Sequence, residues 1–115
     1  MRPDLACANL NTLRGRDLDD PYDKYLNGAD FREVNLCNSV ISDICLMGTL
    51  FTFADLSGAR FQNSNLDRSF FYNAKLVSAC LISSSIIDAD FAGAQVGDVQ
   101  LVGIDLSAAV GLDKI

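Results

Sequence analysis

The chain has 115 residues, of which 50% are apolar and 21% charged, and it carries a net charge of −6 with no histidine and no tryptophan. This length and apolar content predict a single folded domain, and the negative charge disfavours direct binding of nucleic acid. The missing histidine excludes Ser-His and Cys-His nucleophile pairs and mixed Cys/His zinc sites, so we expect no enzyme activity, no cofactor and no metal site.

Residues 1–25 are the first predicted element. They hold irregular apolar positions around Leu5 and Leu10, followed by a polar and charged stretch from Arg14 to Lys24 that includes Pro21. We expect a partial first coil of the repeating structure described next, and then an irregular polar loop. Together they would form an N-terminal cap.

Residues 26–106 repeat with a period of five. Every fifth residue in this range is Leu, Phe, Ile or Val, and we call these seventeen residues the centres: Leu26, Phe31, Leu36, Ile41, Leu46, Phe51, Leu56, Phe61, Leu66, Phe71, Leu76, Leu81, Ile86, Phe91, Val96, Leu101 and Leu106. Helices repeat at about 3.6 residues and strands at about 2, so neither explains the pattern. A period of five is typical of a chain that runs extended briefly and then turns.

The positions around each centre follow rules of their own. Two residues before a centre the side chain is usually small, which lets neighbouring backbones approach closely. The large exceptions, all near an end of the run, are Val34, Ile44, Val99 and Ile104. Two residues after a centre the chain mostly has Gly, Asn, Asp or Ser, which adopt positive φ or bond to their own backbone. We therefore expect a corner after every centre.

These units resemble those of the pentapeptide-repeat family, which read roughly Ala-(Asp/Asn)-Leu-x-x. Clear copies begin at Ala8, Ala29, Ala54 and Ala89. The resemblance implies an all-β fold, a right-handed quadrilateral parallel β-helix in which four five-residue units make one square coil. This chain would have about four to five such coils.

A period of twenty supports the four-unit coil. It places Phe31, Phe51, Phe71 and Phe91 on one face, the Phe face, which the period of five alone does not require. Because coils lie about 4.8 Å apart, these rings are expected to stack as a core ladder. Phe71→Ala should therefore be strongly destabilising, whereas Asp67→Ala, at an outward position, should be nearly neutral.

Residues 107–115 are the last predicted element. The period of five is lost after Leu106. We expect this segment to form a C-terminal cap or a tail that contacts a partner.

The four cysteines, Cys7, Cys37, Cys45 and Cys80, lack the Cys-x-x-Cys spacing of metal and redox sites. The last three flank centres on three different faces, so each should point outward and remain reduced. Reduced thiols and the absence of a long apolar run favour a cytoplasmic protein without a membrane partner. Two disulfides in a secreted protein are the alternative.

The outer surface of the Phe face carries the predicted partner-binding residues. Leu50 and Phe70 precede two of the Phe centres, Tyr72 follows one, and Phe53 occupies a corner. Exposed clusters of this kind are typical of protein interfaces. The alternative is a ladder partly buried under a loop such as residues 11–25. We predict a non-enzymatic interaction or scaffold module that binds a protein partner or associates with itself.

A second hypothesis follows from the family resemblance. Some members resemble a DNA duplex in shape and charge, and bind or protect a type II topoisomerase (DNA gyrase). The repeat region here carries nine acidic and four basic side chains, so the sign of its charge fits. The column would be only about 20 Å long, however, and its acids lie on several faces instead of forming one stripe.

Overall fold

The fold is described by a computed structural model that covers residues 28–107 and 109–111. Four three-residue strands, β1 (Val40–Ser42), β2 (Arg60–Gln62), β3 (Cys80–Ile82) and β4 (Gln100–Val102), form one parallel sheet in that order. Each strand pairs with the next at an offset of twenty residues, so that Ile41 lies opposite Phe61 and Phe61 opposite Leu81. One coil is therefore twenty residues long.

The other three faces pair through single bridges with the same offset. Their bridges include Asp30 with Leu50, Asn35 with Asp55, and Cys45 with Asn65. Four faces with a common twenty-residue offset make a square coil of four five-residue units. The chain thus folds as the expected right-handed quadrilateral β-helix, and the described residues contain parallel strands and bridges without any helix.

Corners recur at every fifth residue, as the sequence predicts. All sixteen residues at this position from Gly28 to Gly103 have positive φ, although eleven of them are not glycine. On three faces most corners have the geometry of the four-residue turn from Phe51 to Ala54. The Phe51 carbonyl accepts from the Ala54 amide at 2.9 Å, and the positive φ lies at Phe53, the third residue, as in a type II turn. On the β1–β4 face the Ser64 amide instead donates to Ser84 Oγ, at 3.1 Å.

The centres form the core of the column. Those from Leu36 to Phe91 are at most 3% exposed, and Phe31, Val96 and Leu101 pack against them while partly buried. Leu106 is 44% exposed, so its prediction as an inner residue is wrong. The reason is that the ladder on its face, which pairs Cys45, Asn65 and Ser85, does not continue to Asp105 among the described residues. Leu26 lies outside those residues.

The phenylalanine ladder is confirmed. Phe31 and Phe51 stack with centroids 5.6 Å apart, Phe51 and Phe71 at 4.9 Å, and Phe71 and Phe91 at 4.7 Å. Phe61, from the opposite face, meets the Phe51 and Phe71 rings edge-on at 5.9 and 6.2 Å. The middle of the column is therefore filled by aromatic rings in both of their favourable arrangements.

The two predicted end segments fall largely beyond the described part of the chain. Residues 1–25, the expected N-terminal cap, lie wholly outside it, as do residues 112–115. Val110 pairs with Asp90 and so adds one more rung to the Phe face, after the period of five has been lost. The assignment of residues 107–115 as a cap or tail stays a prediction. None of the described residues belongs to a helix long and apolar enough to cross a membrane.

Candidate interaction surface on the Phe face

The residue before each centre controls a hydrogen bond of the corner that follows. Where it is Asp or Asn, its side-chain oxygen accepts from the amide two residues later: the Arg32 amide donates to Asp30 Oδ1 at 3.0 Å, and the Ala92 amide to Asp90 Oδ1 at 2.9 Å. The same bond forms after Asn35, Asp55, Asn65 and Asp105. Because backbone amides require acceptors, this contact explains why the repeat favours Asp or Asn there.

Two successive coils of the Phe face break this rule. Leu50 and Phe70 occupy the position of the acceptor residue and are bridged to each other in the ladder. The structure therefore places the four predicted partner-binding residues on neighbouring coils of one face, and we call them the apolar patch. Phe53, Phe70 and Tyr72 are 52%, 43% and 48% exposed, whereas Leu50 is half-buried.

Because Leu50 and Phe70 have no side-chain oxygen, two backbone donors within the apolar patch are left without an acceptor in the described part of the chain. The amides of Thr52 and Tyr72 correspond to those of Arg32 and Ala92, but neither has an acceptor among residues 28–107 and 109–111. Sequence reasoning missed this feature. The signal was present, since Leu50 and Phe70 depart from the Asp/Asn rule of the repeat.

Phe53 adds a strained backbone to the same surface. Its φ is 60°, in the left-handed region, where bulky residues are rare because the side chain crowds the backbone. Glycine or asparagine occupies this corner position in many other units, as at Gly58 and Asn63. The patch thus combines an exposed ring with a conformation that disfavours the residue carrying it.

Charged residues lie at both ends of the apolar patch. Arg32 donates two hydrogen bonds to Asp30, from Nε to Oδ1 at 2.9 Å and from one terminal nitrogen to Oδ2 at 2.8 Å. These bonds, with the Arg32 amide bond, lower the pKa of Asp30 from 3.8 to about 2. Asp90 lies at the other end of the column of residues that holds Leu50 and Phe70. The patch is therefore bordered by an ion pair at one end and by the Asp90 carboxylate at the other.

The cysteines form no site of their own. Cys37, Cys45 and Cys80 are free, in agreement with their predicted separation, but each is half-buried and not fully outward. Burial raises the pKa of the Cys37 thiol, and its hydrogen bond to Asp55 adds to the effect. Cys7 lies outside the described residues. Within the described ranges no group of His, Cys, Asp or Glu side chains could hold a metal ion.

Comparisons with known proteins place the chain in a family. A family model for pentapeptide repeats matches residues 25–52 and 54–93, in 8 copies, whereas no curated protein matches. Among solved structures, the chain is similar to trypsin-treated QnrB1, a plasmid-mediated fluoroquinolone resistance protein. The TM-score is 0.68 at 18% identity, over 95% of this chain and 58% of that one, so the chain spans little more than half of QnrB1.

A second similar structure is a pentapeptide repeat protein from the thylakoid lumen of Arabidopsis thaliana. Its TM-score is 0.58 at 20% identity, over 83% of this chain and 77% of that one. At such identities the likeness concerns the fold. Because the family model covers more than half of the residues, the chain belongs to the pentapeptide-repeat family.

Proposed function

We propose that the chain is a non-enzymatic protein-interaction module whose partner docks on the apolar patch, Leu50, Phe53, Phe70 and Tyr72. The observation that carries this proposal is the presence of three strongly exposed aromatic side chains on two successive coils. Exposed clusters of large apolar residues mark interaction surfaces more often than isolated ones do, and aromatic residues are enriched among interface hot spots. The pentapeptide-repeat fold, generally structural or interaction-forming, is compatible with this role.

The column suits docking because its backbone is already ordered. Hydrogen bonds join each coil to the next on every face, as from Phe51 N to Phe70 O at 2.7 Å and from Phe53 N to Tyr72 O at 3.0 Å. The stacked rings of Phe51 and Phe71 support the patch from inside. A partner would therefore meet a preorganised surface and lose little free energy to ordering it.

The test compares two double variants. Leu50→Ser with Phe70→Ser removes the middle of the patch, and Val77→Ser with Ile87→Ser makes the same kind of change on exposed positions of two other faces. Each variant is immobilised, and proteins captured from the source organism are quantified by mass spectrometry, while sedimentation velocity reports self-association. We expect association to be lost in the first variant only.

Both variants should keep the β-helix, since outward residues contribute little to the core. Equal capture by the wild type and both variants would contradict the choice of the Phe face and would place the interface at an end of the column, such as the segment 107–115. Circular dichroism of each variant separates loss of binding from loss of fold.

A second candidate is the duplex mimic that binds or protects DNA gyrase, and the negative charge of the repeat region favours it. It predicts that binding to purified gyrase weakens steeply with added salt, because charge-driven association is screened. It also predicts that Asp88→Asn, Asp90→Asn and Asp98→Asn together abolish binding, while Leu50→Ser with Phe70→Ser does not. The interaction module proposed above predicts the reverse on both counts.

A further inference from the structure

The open amides of Thr52 and Tyr72 constrain any partner that covers the apolar patch. In the flanking coils, the corresponding amides of Arg32 and Ala92 are satisfied by Asp30 and Asp90. Water can satisfy the open pair while the patch is exposed. Once a partner excludes that water, each amide becomes a buried donor, which is costly unless an acceptor replaces the water.

The surrounding charges select the type of acceptor. Asp90 borders the patch without an ion pair among the described residues, Arg32 neutralises Asp30 at the other end, and the whole chain carries a net charge of −6. The Asp90 carboxylate and the negative net charge would repel a carboxylate brought to this surface. Neutral carbonyl or carboxamide oxygens meet the same two donors without that repulsion.

From these contacts we infer that the Phe face binds an uncharged, apolar peptide segment of a partner protein, whose neutral carbonyl oxygens accept from the Thr52 and Tyr72 amides. Its apolar side chains cover Leu50, Phe53 and Phe70. This inference rests on the proposed function and specifies the chemistry of the partner.

The local backbone supports a binding role for this surface. Asp or Asn in place of Leu50 and Phe70 would satisfy both amides, and Gly or Asn in place of Phe53 would relieve a left-handed bulky residue. Three residues that are unfavourable for stability thus lie on two neighbouring coils of one face. Such a concentration is expected where residues serve binding at the expense of stability.

Proline offers a way to delete one donor while keeping the turn. Thr52 is the second residue of the turn closed by the Ala54 amide and the Phe51 carbonyl, a position where proline is favoured in type II turns. Thr52→Pro removes the amide hydrogen, and Thr52→Ala controls for the side chain. Val77→Pro is the matched control on another face, because Val77 holds the same turn position and its amide also lacks an acceptor among the described residues.

The probe is a library of random peptides displayed on phage and selected against the immobilised full chain, with the Leu50→Ser/Phe70→Ser variant as counter-target. Enriched peptides should be apolar and lack Asp and Glu. Thr52→Pro should weaken their binding about three- to tenfold, the worth of one hydrogen bond, while Thr52→Ala and Val77→Pro leave it unchanged. Bound peptide should shift the NMR signals of the Thr52 and Tyr72 amides and slow their hydrogen exchange.

Three other outcomes would overturn the inference, and they show whether the proposed function fails with it. Peptides that bind the patch but are insensitive to Thr52→Pro, or that are rich in Asp and Glu, would refute the amide contact and leave the proposed function standing. No enrichment over the counter-target would refute both. Slow exchange of the two amides in the free chain would mean that residues 1–27 or a second copy already cover them.

Discussion

Side chains on the outer surface also connect the coils. Asp67 lies at an outward position, yet its Oδ1 accepts from the Ile87 amide in the next coil at 2.9 Å and from the Ser85 hydroxyl. Ser85 occupies the acceptor position of its own unit and does not satisfy Ile87, so Asp67 does this from one coil away. The sequence-based prediction that Asp67→Ala is nearly neutral for stability does not take these contacts into account, and we revise it.

We predict that Asp67→Ala lowers the free energy of unfolding by about 1–3 kcal/mol, because a carboxylate acceptor is lost and the Ile87 amide is left without its partner. Urea unfolding followed by circular dichroism measures the change. Gln62→Ala, at an exposed strand position, is the control and should stay within about 0.5 kcal/mol. Equal effects of the two substitutions would show that the cross-coil bond contributes nothing.

Thr49, two residues before the centre Phe51, is a buried polar residue whose side chain lacks a partner in the described part of the chain. Its Oγ1 is buried and has no hydrogen-bond partner among the described residues, whereas the Ser69 hydroxyl one coil later donates to the Leu66 carbonyl. We expect Thr49→Val, which keeps the shape and removes the hydroxyl, to raise the free energy of unfolding by about 1 kcal/mol. Thermal and urea unfolding test this. A clear loss of stability would mean that the hydroxyl is satisfied in solution.

At the scale of the elements, the coils are held by one repeated geometry and one aromatic ladder. Every described corner from Gly28 to Gly103 has positive φ, including those at Glu33 and Arg68, where the residue type does not favour it. Stacking of the coils therefore overrides local preference. Phe71 lies at the middle of the ladder, between Phe51 and Phe91.

We predict that Phe71→Ala destabilises the chain by about 3–5 kcal/mol, since it empties a buried aromatic site between two stacked rings and one edge-on ring. Phe70→Ala is the matched control, because the neighbouring ring points outward and is 43% exposed. We expect it to cost much less, as measured by the same urea titration. A larger loss for Phe70→Ala would invert the assignment of inner and outer faces.

At the scale of the whole molecule, the column presents four faces of different chemistry. The Phe face has an apolar middle between the Arg32–Asp30 ion pair and Asp90, whereas the neighbouring face carries Asp55 and Lys75 in its ladder. Similarity to QnrB1 and to the Arabidopsis protein at 18% and 20% identity shows how little of the sequence the fold requires. Function must therefore be read from individual faces.

The sequence by itself determined the architecture of this protein. The period of five, the turn-forming residues and the twenty-residue recurrence of Phe31, Phe51, Phe71 and Phe91 were enough to predict square coils, corners and stacked rings. Each unit repeats the same local signal, so occasional exceptions such as Phe53 do not obscure it. The apolar patch could also be located, because residues twenty apart must be neighbours.

Only the tertiary structure decided which polar groups find partners. It showed the bonds from Ile87 and Ser85 to Asp67, the Ser64 amide bond to Ser84, and the open amides of Thr52 and Tyr72. It also showed that Leu106 leaves the core. The physical reason is that a repeat fixes the position of a residue in the coil. A hydrogen bond also requires the side chain to point at an atom of the neighbouring coil and to bring donor and acceptor within about 3 Å.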